Sequence, residues 1–541
     1  MIVYILYKKH SKSVTRISNV PQYDHAIIIG AGIGGMVTAA YLSKHFQRIT
    51  IIESDNVLND ALLKSKSVEI LDYRCRLESP TSLGRSGVSQ MYQLHVMEGE
   101  GYKILLELFP RLKDRLLNEY NVRSYSLKNE SKLSINGVPV DHNFTEDVVW
   151  LGIDRFTLDI VLRQELCSQY GNQIEWKCNT RVKQLIVDRS LNIVRGIKYR
   201  SKQNDTLQLL DMYGDFIVDC TGRNSSSTKW LKQSLNLNVP AEEMHFGCGY
   251  LTFIGERFKT GDPSLDLKPV VCTAINAPVK NIGCYITPIR QIKTIDKNSL
   301  GTLATIAIHC VNSEYPPNDS YENLLEWTKE NLDPEYYSIL KATKVYSPLI
   351  PYRRVMNHRK YVELLGTKWP QNYVLLGDAM CTFNPQYGQG MTHVSRQARE
   401  LRAIFDESHH TLQEISHIFN RRASVITEEC WLWSITSDWK TPTLKIIKTD
   451  ENGNTKTYER TSNSATTKNL RPLLPLKIRF FQWYIYWFSQ YASKSSQFST
   501  YLLLVVNQHS SPLTLFKPAT FLTICRFAIM NYLTLSRQRA V

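Results

Sequence analysis

Short apolar runs separated by polar turns fill the first half of the chain and predict strands that alternate with helices. Residues 26–29 and 48–52 have the pattern of buried strands, and a helix rich in alanine and valine separates them. Residues 193–199 and 207–212 predict an antiparallel pair across a polar turn. Apolar runs recur between 245 and 345, which indicates a second sheet. The pattern as a whole predicts an α/β protein.

The first strand leads into a glycine-rich turn, Gly30-x-Gly32-x-x-Gly35, that opens a helix. Glycines at this spacing permit a tight turn, let the backbone approach a pyrophosphate and bring the helix onto the strand. Glu53 follows the second strand at the position, roughly 20 residues on, of a carboxylate that binds ribose hydroxyls. These four residues predict a dinucleotide site.

A second turn, about 350 residues later, indicates which dinucleotide is bound. A short strand at 373–376 ends in Gly377-Asp378, and a glycine-rich turn at 385–390 opens a helix at 391–405. A carboxylate at a strand end can accept hydrogen bonds from a ribityl chain, and a helix N-terminus suits an electron-rich flavin edge. The cofactor predicted is FAD. The residues predicted to bind it here are Gly377, Asp378, Pro385, Gly388, Gly390 and Met391.

These segments resemble the motifs of FAD-dependent monooxygenases and oxidoreductases of the aromatic-hydroxylase (class A flavoprotein) superfamily. The resemblance rests on four segments in the same order, namely Arg85-Ser-Gly-Val-Ser-Gln-x-x-Gln-Leu-His95, Asp154-Arg155 through Leu162-Arg163, Val218-Asp-Cys-Thr-Gly-Arg-Asn-Ser225 and Phe383-Asn-Pro-x-Tyr-Gly-Gln-Gly-Met391. It covers about residues 24–440. Thr221-Gly222 stands where hydroxylases that take NAD(P)H directly usually carry Asp-Gly.

The resemblance implies a Rossmann-like FAD-binding domain interleaved with a β-sheet substrate domain, followed by a C-terminal helical region. We expect the FAD-binding domain at 24–240 and 346–410, with a substrate-side excursion near 90–150. The substrate domain is expected at 241–345. The C-terminal region, 411–541, is expected to hold a polar hairpin or lid near 438–471 and aromatic helices.

The resemblance also implies a reaction. A class A monooxygenase would hydroxylate or epoxidise an apolar organic substrate with O2 and NADPH or NADH, through a flavin hydroperoxide. Alternatives within enzymes are a flavin-dependent halogenase and an isoprenoid double-bond reductase. A non-enzymatic alternative is a prenyl-protein escort-like binder, which has no reason to keep the turn at 385–390.

Two side chains of the Arg85 segment are candidates for catalysis. Arg85 could donate to electron-rich oxygens of the flavin, and it also counts among the cofactor-binding residues. His95 could hydrogen-bond or transfer a proton, although a structural histidine bonded to a loop carbonyl is an equal alternative. Arg155 is expected to position the cofactor. The stretch 431–435 is similar to a tryptophan motif of flavin halogenases, but core or pocket aromatics are the better interpretation.

Composition says little about the reaction, but it bears on which partners and metals the protein could bind. The 65 Lys and Arg exceed the 50 Asp and Glu by 15, and the excess is spread along the chain, which favours a solvated surface over a nucleic-acid site. Eleven cysteines without a Cys-x-x-Cys pair indicate reduced thiols, an intracellular setting and no bound metal.

The sequence also contains a candidate membrane-contact segment. Residues 480–491 combine aromatic bulk with flanking basic residues, which indicates either peripheral membrane contact or packing on the catalytic body. The protein is expected to be intracellular, either cytoplasmic or peripherally membrane-associated. The residue pattern predicts no oligomeric state.

Overall fold

The structure is a computed structural model that describes residues 21–58, 63–64, 67–76, 85, 88, 90–202, 208–407, 409–460 and 473–539. In chain order its strands are β1 (Tyr23–Ile29), β2 (Phe46–Ile52), β3 (Val96–Met97), β4 (Ser124–Ser126), β5 (Ser131–Ile135), β6 (Val138–Pro139), β7 (Val149–Gly152), β8 (Ile174–Lys177), β9 (Thr180–Asp188), β10 (Ile193–Ser201), β11 (Leu210–Tyr213), β12 (Phe216–Asp219), β13 (Ala241–Phe258), β14 (Val270–Thr273), β15 (Ile282–Gln291), β16 (Ser299–Cys310), β17 (Thr343–Val345), β18 (Ile350–Lys360), β19 (Tyr373–Leu375), β20 (Cys381–Thr382), β21 (Leu444–Thr449) and β22 (Thr455–Arg460).

The α-helices are α1 (Ile33–Leu42), α2 (Ser67–Arg76), α3 (Gly99–Leu108), α4 (Leu112–Tyr120), α5 (Leu127–Glu130), α6 (Arg155–Tyr170), α7 (Ser227–Leu235), α8 (Pro263–Asp266), α9 (Tyr321–Asn331), α10 (Pro334–Lys341), α11 (Gln389–Asp406), α12 (Leu412–Asp438), α13 (Leu476–Ala492), α14 (Ser496–Val506) and α15 (Pro518–Arg539). Short 3-10 turns lie at Gly222–Asn224, Val362–Lys368, Gly377–Ala379, Pro385–Tyr387 and Pro512–Phe516.

A parallel sheet in the order β19-β12-β1-β2-β8 forms the nucleotide-binding core. The register pairs Ile29 with both Ile52 and Asp219, and Asp219 with Leu375, so four strands end at one edge. The residues of the three central strands that lie nearest this edge are mostly apolar and buried, at 26–29, 49–52 and 216–218. The carboxyl ends of such strands are where an open α/β sheet binds its ligand.

A larger mixed sheet forms the second layer. Its main path is β20-β18-β13-β16-β15-β14-β5-β6, and β17 and β21 also pair with β13. Strands β5 and β6 come from the excursion near 90–150, and β21 and β22 form a hairpin within the segment predicted to be a lid. Residues 461–471 of that segment lie outside the described residues. The predicted α/β fold is confirmed, and two three-stranded sheets, β11-β10-β9 and β3-β7-β4, accompany the two larger ones among the described residues.

Helices α11 and α12 connect the two layers. Helix α11 begins at the glycine-rich turn and packs on α1, which opens at the other glycine-rich turn, and α12 packs antiparallel against α11. A capping box starts α12. The side chain of Thr411 accepts a hydrogen bond from the backbone N–H of Glu414, and the side chain of Glu414 accepts one from the backbone N–H of Thr411. The packing of α11 on α1 therefore holds the two glycine-rich turns side by side.

Helices α13, α14 and α15 form a separate aromatic core against α12. Tyr484 and Phe488 of α13 are fully buried, and the ring of Tyr484 stacks on Phe516 at 4.4 Å between centroids. Most of 480–491 therefore faces this core, where it cannot meet a lipid surface. The stretch predicted as a membrane stripe is mainly a packing stripe, and Phe480 and Tyr486 are its exposed members.

Candidate active site

One cavity of about 1190 Å³ lies between the two sheets and reaches the C-terminal helices. Of the predicted cofactor residues, Gly35 and Gly377 lie outside its wall. Those that line it are Gly30, Gly32, Glu53, Arg85, Arg155, Asp378, Pro385, Gly388, Gly390 and Met391, and His95 lines it too. The fold thus brings segments from both ends of the sequence around one space.

The first glycine-rich turn has the geometry that the sequence predicts. Gly30 has a φ of +101°, and a Cβ there would lie 2.6 Å from the carbonyl oxygen of Cys220. A Cβ at Gly35 would overlap the carbonyl oxygen of Gly30, so Gly35 serves helix packing. A Cβ at Gly32 would meet no atom within 4 Å, because it would project into the cavity. The open space at Gly32 fits a bound pyrophosphate.

Glu53 lies at the end of β2 and is tied to the same turn. Its carboxylate accepts hydrogen bonds from the backbone N–H of Ala31 at 2.9 Å and of Asp55 at 3.1 Å. Burial raises the pKa of Glu53, but Arg85 and these two N–H groups outweigh burial and hold it below its ordinary value. Glu53 is therefore an ionised acceptor at the predicted ribose position.

Arg85 lies at the Glu53 end of the cavity, surrounded by carboxylates. Its guanidinium is 3.1 Å from Glu53, 3.5 Å from Asp159 and 3.9 Å from Asp55. Burial lowers the pKa of Arg85, but Asp159, Glu53 and Asp55 together raise it above its ordinary range. Three carboxylates hold Arg85 near Glu53, which is consistent with the predicted cofactor-binding role, and the catalytic role stays a prediction.

Arg155 opens helix α6 and points into the cavity wall. Asp154 caps this helix by accepting the backbone N–H of Thr157 at 2.9 Å. Burial lowers the pKa of Arg155, and its buried Nε has no hydrogen-bond partner among the described residues. A buried donor without a partner fits an anionic group bound in the cavity.

The second glycine-rich turn forms a further part of the cavity wall. Gly388, with a φ of +67°, ends the 3-10 turn Pro385–Tyr387 and starts the 18-residue helix α11. Burial raises the pKa of Asp378, against the opposing charges of Arg223 and Arg155. A Cβ at Gly390 would lie 3.8 Å from Asp378 Oδ1, so the turn and the strand end face each other.

His95 lies on the cavity wall between these two regions. Its Nδ1 is 2.8 Å from the carbonyl oxygen of Gln93, and since a carbonyl can only accept, Nδ1 carries the proton. This is the structural hydrogen bond that the sequence left as an alternative to a catalytic role. The position on the cavity wall keeps the predicted role open as well.

The far end of the cavity is apolar and aromatic. Tyr250, Tyr285, Trp150 and Phe383 line it from the large sheet and its flanks, and Trp433, Phe481 and Phe516 line it from the C-terminal helices. Trp431 is instead buried in the core under the large sheet. Of the two tryptophans in the stretch similar to a halogenase motif, one is thus a core residue and the other lines the cavity.

Two buried carboxyl groups were missed by sequence reasoning. Glu98 is 1% exposed and lines the cavity beside Gly388, and burial raises its pKa to about 8. Burial also raises the pKa of Asp438 to about 7, although Asn384 and Asn357 donate hydrogen bonds to it at 2.8 and 2.7 Å. Glutamate and aspartate are ordinarily exposed, so sequence gave no signal for either group.

Two further observations concern the cysteines and the helices. All eleven cysteines are free thiols. In the part of the chain that the structure describes, none of the helices combines the length and the hydropathy that crossing a bilayer requires.

Comparisons with known proteins agree with this geometry. Residues 28–76 match the family described as an NAD(P)-binding Rossmann-like domain. Over 442 residues the chain is 24% identical to protein Rv3254 of Mycobacterium tuberculosis, covering 77% of this chain and 80% of that protein.

Solved structures extend the comparison to the fold. The flavin-dependent brominase Bmp2 aligns with a TM-score of 0.55 at 11% identity, covering 94% of this chain and 99% of the brominase. The myxobacterial chondrochloren halogenase CndH aligns at 0.52 and 12% identity, covering 91% and 98%. PqsL of Pseudomonas aeruginosa, a probable FAD-dependent monooxygenase, aligns at 0.50 and 14% identity, covering 76% and 97%. The chain therefore has the fold of class A flavoprotein monooxygenases and halogenases.

Proposed function

We propose that this chain is an FAD-dependent oxidoreductase, a monooxygenase that oxidises an apolar organic molecule with O2 and NADPH or NADH. The observation that carries the proposal is the single cavity that joins Glu53, the turn at 385–390 and the aromatic chamber. Its volume of about 1190 Å³ exceeds the roughly 300–1,000 Å³ of a pocket for one drug-sized ligand. That size suits a dinucleotide together with a substrate.

The residues of the cavity fit FAD from end to end. Glu53 would accept from the adenosine ribose, and the open space at Gly32 with the N-terminus of α1 would hold the pyrophosphate. Asp378 would accept from the ribityl hydroxyls, and the N-terminus of α11 would face the electron-rich edge of the ring. When bound, FAD would supply the redox chemistry, accepting a hydride and passing electrons to oxygen.

The remaining cavity residues would form the substrate-binding part of the site. The aromatic walls exclude water, and their rings offer an apolar substrate a large contact area. Arg359 and Lys477 line the cavity and both form ion pairs with Glu428, so opposite charges there partly neutralise each other. A substrate of this chamber is therefore expected to be largely apolar.

The test is anaerobic mixing of the FAD-loaded protein with NADPH and, separately, with NADH. Bleaching of the flavin absorption band, followed by substrate-dependent oxygen uptake on aeration, is the expected result. Bound flavin that both donors leave oxidised, with and without candidate substrates, would contradict the single-component monooxygenase.

Halogenation is the second candidate, because the fold similarity to the flavin-dependent brominase Bmp2 covers 94% of the chain. With chemically reduced FAD and oxygen, a halogenase would make halogenated product only when chloride or bromide is present. A monooxygenase would make its hydroxylated or epoxidised product both with halide and in halide-free buffer.

For a partner we propose an anionic lipid surface, contacted through α15 and the start of α13. These elements expose large apolar residues, with exposed fractions of 66% for Leu522, 58% for Ile529 and 81% for Leu476. Leu522, Arg526 and Ile529 share one helix face at spacings of four and three residues, and Arg526 is exposed among the apolar side chains. Helix α13 turns Phe481 toward the cavity, so an apolar substrate could pass from lipid to chamber.

A further inference from the structure

Glu98 lies where the C-terminal region meets the second glycine-rich turn. The residue precedes α3, its side chain is buried, and it lines the cavity. A Cβ at Gly388 would lie 3.4 Å from Glu98 Oε1, so this oxygen borders the turn that starts α11. The carboxyl group is thus beside the place proposed for the electron-rich edge of the cofactor.

The other carboxyl oxygen is already occupied by the side chain of Gln508. Gln508 Nε2 donates to Glu98 Oε2 at 2.9 Å and to the carbonyl oxygen of Gln389 at 3.2 Å. Gln508 Oε1 accepts from Arg396 Nη1 at 3.1 Å. Since a carbonyl only accepts and a guanidinium only donates, the orientation of this amide is fixed. Oε2 is therefore an acceptor, which favours Oε1 as the oxygen that carries the proton of a neutral acid, and Thr392 also hydrogen-bonds the carboxyl group.

The charges around Glu98 favour its neutral form. Among the described carboxylates of the cavity wall, Glu53, Glu428 and Glu429 have a basic partner within 4 Å, and no such ion pair holds Glu98. Arg396, the nearby cation on α11, is already paired with Glu429 at 2.8 Å. Burial raises the pKa of Glu98 to about 8, against the hydrogen bonds from Gln508 and Thr392 and the charge of Arg396.

The geometry points to Glu98 as a neutral acid whose Oε1–H donates a hydrogen bond to the electron-rich edge of the cofactor bound over the turn at 385–390. This inference rests on the proposed function. A carboxylic acid kept neutral by an apolar site can donate where a carboxylate would repel. Ionised Glu98 would place a negative charge beside an electron-rich group, so binding requires the protonated form.

The experiment is a titration of the full-length apoprotein with FAD between pH 7 and pH 9, followed by flavin fluorescence. With a pKa of about 8, the neutral fraction of Glu98 falls about tenfold across this range, so the FAD affinity of the wild type should fall about tenfold. Glu98→Gln keeps a donor that does not titrate, and its affinity should change less than about twofold. Glu98→Met, which has no donor, should bind FAD more weakly at pH 7 and be equally insensitive to pH.

Glu100→Gln is the matched control, because Glu100 lies two residues away outside the cavity. Burial raises the pKa of Glu100, but hydrogen bonds from His509 and Arg399 outweigh burial and lower it to about 2. This variant should show the same pH profile as the wild type. Parallel profiles for the wild type and Glu98→Gln would overturn the inference alone. A failure of every variant and the wild type to bind FAD would overturn the proposed function, and the inference with it.

Discussion

Arg85 Nη1 lies 3.1 Å from Glu53 Oε2, although the two residues belong to different segments of the nucleotide-binding domain. Both side chains are buried, and Asp159 adds a second carboxylate 3.5 Å from the same guanidinium. The pairing places the start of the Arg85 segment against the first glycine-rich turn. It also keeps Arg85 at the end of the cavity where the adenosine is proposed to bind.

Replacing Arg85 with leucine should destabilise the protein strongly. The change leaves Glu53, Asp55 and part of the charge of Asp159 buried without their partner, and breaking a buried pair costs about 3–5 kcal/mol. Urea denaturation without FAD measures the loss of free energy of unfolding. Lys368→Ala, which breaks an exposed pair with Glu451, should cost at most about 1 kcal/mol. A loss below about 1 kcal/mol for Arg85→Leu would contradict the buried network.

Gly32 and Gly35 should respond differently to alanine. A Cβ at Gly32 meets only cavity space, so Gly32→Ala should keep the melting temperature of the apoprotein and weaken FAD binding at least about tenfold. A Cβ at Gly35 overlaps backbone, so Gly35→Ala should lower stability itself. Thermal unfolding and FAD titration of both variants separate these effects. Unchanged FAD affinity in Gly32→Ala would place the pyrophosphate elsewhere.

Asp438 should make stability depend on pH. Its folded pKa of about 7 lies above the ordinary 3.8, so the folded protein binds this proton more tightly than the unfolded chain does. The stability that this provides is complete below about pH 4 and is lost as the pH rises to about 7. In the wild type, titration of Asp438 should make the free energy of unfolding fall by up to about 1.4 kcal/mol per pH unit across that window. Asp438→Asn should lack this contribution, so its free energy of unfolding should depend less on pH. Identical slopes for variant and wild type, measured by urea denaturation, would contradict a neutral buried Asp438.

The exposed face of α15 should bind anionic vesicles. Leu522→Asp combined with Ile529→Asp should abolish sedimentation with phosphatidylserine-containing vesicles, because both side chains are more than half exposed and would enter the interface. Ile295→Asp, at a fully exposed position on another surface, is the control and should sediment like the wild type. Equal sedimentation of all three proteins would contradict this surface, and FAD binding should be unchanged in each.

The nucleotide-binding half of the fold could be predicted because its signals are local. Strand, glycine-rich turn and helix follow one another within about 20 residues, and the backbone conformation of Gly30 and Gly388 requires glycine directly. The hairpin β21–β22 lies where polar turn residues stand between two strand-like runs. The domain boundaries proposed from sequence stay a prediction.

The side-chain environments could not be predicted because they depend on distant contacts. The surroundings of Glu98 include Gln508, 410 residues away, and those of Arg85 include Asp159 from another segment. The aromatic stripe of α13 has the composition of an interfacial helix, but its partner α15 covers it in the fold. Only the three-dimensional arrangement separates a packing stripe from a membrane stripe.

The measurement that tests the account most directly is calorimetric titration of the apoprotein with FAD and, separately, with FMN. The account predicts one FAD per chain and at least about hundredfold weaker binding of FMN, which lacks the adenosine that Glu53 and the first glycine-rich turn are proposed to hold. Equal binding of the two flavins, or no binding of either, would contradict a site that extends from Glu53 to the turn at 385–390.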